Sequence, residues 1–79
     1  MNLPPLPERD ASGNRSAVAT AQVVMARRVI RARVMMRLSR RELAEQASVS
    51  VETVVRIESG QHMPRAGTIE KLGNVLGEI

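Results

Sequence analysis

The chain has 79 residues, a formal net charge of +4, and no Phe, Tyr, Trp or Cys. That suffices for one domain, since domains run from about 50 to 250 residues, with a core built from Val, Leu, Ile, Met and Ala. The composition excludes a disulfide framework, a thiolate zinc site and a cysteine nucleophile, and no apolar run approaches the ~20 residues of a membrane span.

Residues 1–15 hold three of the four prolines and show no helical periodicity, which predicts a flexible N-terminal arm ahead of a domain at 16–79. They also lack the basic-then-apolar order of a signal peptide. From Ser16 the pattern turns helical. Met25, Val29, Ala32 and Met36 recur at spacings of four, three and four, predicting a first helix over about 17–36. Val23, Ile30 and Val34 lie off this stripe and need cover from the arm, a second subunit or a partner. Met25, Met35 and Met36 read as gap-filling core. Eleven of the twelve basic residues are arginine, and seven of these (Arg27, Arg28, Arg31, Arg33, Arg37, Arg40 and Arg41) fall within 27–41 without an intervening acid. Guanidinium forks match phosphate geometry, although a charge run alone is more commonly a solvated helix face.

Ser39-Arg40-Arg41-Glu42 has the spacing of a capping box and opens a short helix over about 40–46, with Leu43, Ala44 and Ala47 facing inward. Ala47-Ser48-Val49 reads as a tight turn. Ser50 caps the next helix, about 51–58, with Val54 and Ile57 inward; Ser59-Gly60 ends it and Pro64 prevents continuation. A last helix over about 66–77 is expected to bury Ile69, Leu72, Val75 and Leu76. No strand pattern appears. The fold class predicted is all-α, a compact bundle of four or five helices.

The two short helices and their turn span 40–59. Ala44 is small enough to let the second helix cross closely, Val49 plugs the turn, and Val54 packs back on Leu43 and Ala44. A short helix left protruding by such a steep crossing fits the major groove of B-DNA, about 12 Å wide.

On these residues the chain resembles a known family. The run LSRRELAEQASVSVETVVRIESGQHMP, within a stretch from Ala26 to Leu76, is similar to the Xre (Cro/CI-type) helix-turn-helix family of phage and bacterial regulators, which implies a lambda-repressor-like domain. A bare helix-turn-helix match is weak; the Ile57-Glu58-Ser59-Gly60 segment and the placement of Pro64 make this one specific. The resemblance implies that Val51, Glu52, Thr53 and Arg56 read bases. It places phosphate contacts at Ser39, Arg40 and Arg41 and at Ser50, Ser59, Gln61, His62 and Arg65. It also pairs Arg33 with Glu58 as a structural ion pair. The chain departs from the family pattern at Ser48 and Arg37, where glycine is common, and at Arg40, where glutamine is usual; family members also often carry a fifth helix used in dimer contacts.

The implied partner is double-stranded DNA, bound by a homodimer on an inverted-repeat operator in a bacterial or phage-encoded, cytoplasmic setting. The function expected is a transcriptional regulator, a repressor or autoregulator. The alternative is an antitoxin or anti-activator whose main partner is another protein, suggested by the Pro-rich arm and the spare apolar face. No enzyme activity, cofactor, metal or small-molecule substrate is expected. His62 has no cysteine or second histidine beside it for a metal, and Ser39 and Ser50 are caps without a base to activate them.

Overall fold

A computed structural model describes residues 2–79. Four helices and no strand occur among the described residues: α1 (Ala17–Met35), α2 (Arg40–Ala47), α3 (Val51–Glu58) and α4 (Ala66–Leu76). Each lies within a residue of its expected bounds. α3 packs on α1 and α2, and α4 packs on the same two helices.

Local chemistry sets these bounds. α1 starts where Ser16 Oγ accepts from the Ala19 amide, at 3.2 Å. It ends in a Schellman arrangement, with Leu38 N–H donating to the Arg33 carbonyl (3.1 Å) and Arg37 N–H to that of Val34 (3.0 Å). α2 ends the same way, Val49 N–H reaching Ala44 (3.0 Å) and Ser48 N–H reaching Glu45 (3.3 Å). Both endings demand a left-handed residue, and arginine and serine supply it: φ is 58° at Arg37 and 58° at Ser48. A residue with a Cβ pays about 1–2 kcal/mol there, partly offset by the ~0.5–1 kcal/mol of extra backbone freedom that glycine loses on folding. Ser48→Gly is therefore expected to stabilise the domain by about 0.5–1 kcal/mol. The check is a higher urea midpoint with an unchanged slope; an unchanged or lower midpoint contradicts the strain.

The α2 start is a complete capping box. Ser39 Oγ accepts from Glu42 N–H (3.0 Å) and Glu42 Oε1 accepts from Ser39 N–H (2.9 Å). The Ser39 backbone amide first, and its hydroxyl second, hold the Glu42 carboxyl below the usual carboxylate range. A depressed folded-state value contributes stability above the unfolded-state pKa and loses it as pH falls through the folded one. Glu42→Gln keeps an acceptor but no charge. Wild type is thus expected to exceed this variant in stability near neutrality, and the gap to close on acidification. Chemical denaturation across that pH range checks it, and a gap that widens in acid contradicts it.

Val29, Leu43, Ala44, Ala47, Val54, Ile57 and Leu72 form one buried cluster joining all four helices, with Met25, Val49, Val75, Leu76 and Ile79 packed partly against it. Of the apolar residues expected inside α4 only Leu72 is fully enclosed; Ile69, Val75 and Leu76 are half-buried. Two methionines differ more. Met25 packs on the core, but Met35 is 82% exposed and Met36 is also exposed, so neither fills a core gap. Val23 and Ile30 are buried within the chain, whereas Val34 stays at the surface.

Residues 2–15 carry no helix or strand. Asp10 Oδ1 accepts from the Ser12 and Asn14 amides, both at 2.9 Å, to make a tight turn. Further back, Arg27 Nε donates to the Pro4 carbonyl (3.0 Å), tying the segment to α1. Pro4 and Val23 close over Gly60, whose φ is 76°: a methyl group there would lie 3.3 Å from Pro4 Cβ and 3.3 Å from Val23 Cγ2. Close approach and left-handed backbone together favour glycine at this helix end.

Candidate nucleic-acid interface

α3 is amphipathic along its whole length. Val54, Ile57 and Glu58 turn inward, while Val51, Glu52, Val55 and Arg56 are exposed on the other side. These four line one shallow surface depression together. Val55 belongs to this face although the sequence reading passed over it; its spacing of four from Val51 and three from Glu52 was the available signal.

The start of α3 is held by Ser50, whose Oγ accepts from the Thr53 amide at 3.1 Å and shares a hydrogen bond with Thr53 Oγ1 at 2.7 Å. The Thr53 hydroxyl, on a half-buried residue, is thus partnered within the protein, whereas the side chains of Glu52 and Arg56 have no such partner among the described residues. With the third amide capped, the Val51 and Glu52 amides are the ones left at this helix N-terminus.

Beyond α3, Ser59 Oγ donates to the Arg56 carbonyl (2.6 Å) and accepts from the Gln61 amide (3.3 Å), so the hydroxyl shapes the loop. Gln61, His62 and Arg65 are exposed. Thr53, Arg56, His62 and Arg65 surround a second shallow depression, floored in part by Ile57 and Pro64. The structure therefore brings the α3 arginine and the basic loop residues to one place. Ser39, Arg40 and Arg41 are not part of that group; they sit at the start of α2, all exposed. The capping box occupies the Ser39 and Glu42 amides, leaving those of Arg40 and Arg41 outermost.

Glu58 is the one buried charged residue among those described, at 5% exposure. Arg33 grips it with both arms of its fork, Nε to Oε2 at 2.8 Å and Nη2 to Oε1 at 3.1 Å, and its Nη1 donates to the Leu38 carbonyl at 2.9 Å. A second cation joins: Arg40 Nε donates to Glu58 Oε1 at 2.9 Å. The residue expected only at phosphates thus also binds the buried carboxylate. The triad of two arginines and one glutamate keeps a formal charge of +1 beside the end of α3.

Arg56, His62 and Arg65 thus lie around an exposed helix face whose inner side is buried. A helix-turn-helix family model matches residues 29–79, more than half of the chain, and so covers the end of α1 and all of α2, α3 and α4. No curated protein matches the chain. No helix among the described residues is long and apolar enough to cross a membrane. The motif, its Arg33–Glu58 bracing and the family match together mean that this chain belongs to the Cro/CI-type helix-turn-helix family of DNA-binding regulators.

Proposed function

We propose that the protein is a sequence-specific transcriptional regulator, a repressor or autoregulator, that binds inverted-repeat operators as a two-fold dimer in the bacterial or phage-infected cytoplasm. The observation that carries this reading is the outer face of α3, where the Glu52 and Arg56 side chains have no hydrogen-bond or ion-pair partner among the described residues and the backing residues Val54 and Ile57 are buried. Arg56 has the fork for guanine O6 and N7, Glu52 accepts from a cytosine amino group, and the Val51 and Val55 methyls suit a thymine methyl. Arg40, Arg41, His62 and Arg65 supply contacts to the flanking phosphates, with the α2 and α3 amides as further donors. Two copies would place their α3 helices in successive major grooves about 34 Å apart. Val34, Met35 and Met36, left exposed at the end of α1, are apolar residues available for a contact between copies.

Selection of bound duplexes from a random pool tests this. The expected product is an inverted repeat with half-sites one helical turn apart. Recovery of unselected sequence, with no preference at any salt concentration, would remove the regulator reading.

The same exposed Val34–Met35–Met36 patch favours a second reading, in which the domain holds a protein partner in the manner of an antitoxin. Purification from the native host separates the two, through a stoichiometric partner without DNA retention.

A further inference from the structure

We propose that Glu58 is a positioning residue for phosphate binding: from inside the domain it orients Arg40, so that the outer edge of that guanidinium is presented to the DNA backbone. The proposal rests on the DNA-binding reading above and extends it to a buried acid.

The argument starts from how the three side chains divide their hydrogen bonds. Glu58 Oε2 takes one donor, Arg33 Nε, and Oε1 takes two, Arg33 Nη2 and Arg40 Nε. Arg33 is nearly enclosed, at 14% side-chain exposure, and spends its remaining fork on Leu38, so it has little left to offer a ligand. Arg40 differs. Its side chain is 53% exposed and its only hydrogen bond within the described protein is through Nε. Nη1 and Nη2 have no protein acceptor among the described residues, and Arg40 is the first residue of α2. An exposed arginine normally samples many rotamers and loses them on binding; one tethered at Nε has already lost them in the free protein. The remaining N–H groups form an edge suited to two phosphate oxygens, which a lysine ammonium cannot reproduce.

Electrostatics alone gives the opposite expectation for Glu58, and this makes the proposal decidable. Removing an acid near a polyanion should strengthen binding. If Glu58 acts by orienting Arg40, removing its charge weakens binding instead. The experiment measures affinity for a duplex of fixed mixed sequence at several salt concentrations, using wild type, Arg40→Lys, Arg40→Ala, Glu58→Gln and the Arg40→Ala/Glu58→Gln double variant. Circular dichroism confirms folding at the assay temperature. Arg40→Lys leaves the Arg33–Glu58 pair intact and keeps the charge, yet is expected to bind about tenfold more weakly. Arg40→Ala should flatten the plot of log affinity against log salt by about 0.9, one phosphate's worth. Glu58→Gln should weaken wild type but cause no further loss in the Arg40→Ala background, a dependence that general loss of structure would not produce. Lysine matching wild type, or Glu58→Gln strengthening binding, overturns the proposal while DNA binding stands. Absence of wild-type binding at low ionic strength overturns the DNA reading and this inference together.

Discussion

Replacing Arg33 with methionine is expected to destabilise the domain by about 3–5 kcal/mol, the usual cost of leaving one partner of a buried ion pair alone. The geometry explains why Arg40 cannot compensate. Among the described residues Arg33 is the sole donor to Glu58 Oε2 and one of two to Oε1, and it also satisfies the Leu38 carbonyl. Arg40 reaches only Oε1, from an exposed position where screening weakens it. Native domains have about 5–15 kcal/mol of stability in total, so such a loss is a large fraction of it. Urea denaturation checks this directly, and a loss below about 1 kcal/mol would show that the pair is not what holds Glu58 inside. Pairing Arg33→Met with Glu58→Leu should recover part of the loss, because the cost lies in the stranded carboxylate rather than in an absent attraction.

The second large effect concerns recognition. Arg56→Ala is expected to remove discrimination at one base-pair position of each half-site, worth about 1–3 kcal/mol or roughly five- to 150-fold, while the fold stays intact. Arg56 carries no ion pair among the described residues, and Ser59 contacts its carbonyl rather than its side chain. Arg41→Ala serves as the contrast. Its side chain lies outside the α3 face, so its loss should weaken every duplex alike and reduce the salt slope by about 0.9. Competition gel shifts over all four bases at each position distinguish the two patterns. An Arg56→Ala protein with unchanged preferences would mean that the reading residue lies elsewhere.

Much of the fold was legible because its boundaries are written in local chemistry. Ser39 with Glu42 and Ser50 before Val51 satisfy helix starts with side chains a few residues away, and their bonds form as the spacing suggests, while Gly60 ends a helix through its left-handed backbone. The outer face of α3 followed from Val54 and Ile57, which fix the inner one. Features that depend on tertiary placement were not legible. Periodicity put Met36 on the apolar stripe of α1, but a period cannot say how far along a helix its neighbours extend, and both Met35 and Met36 lie beyond that cover. The Arg40–Glu58 contact joins residues 18 apart through the crossing of two helices, and nothing in the run of seven arginines marks Arg40 as the one that would be tethered. Arg33 and Glu58 were linked only through family resemblance, since their separation of 25 has no local meaning.

The most direct test of the central claim is a nuclear magnetic resonance titration of the labelled protein with a duplex at low ionic strength. The account predicts that the amides of Val51, Glu52, Val55 and Arg56, with those of Arg40 and Arg41, shift on binding, while Val29 and Leu72 in the core hold still. Shifts confined to residues 2–15 and the exposed end of α1, or no shift at all, would contradict it.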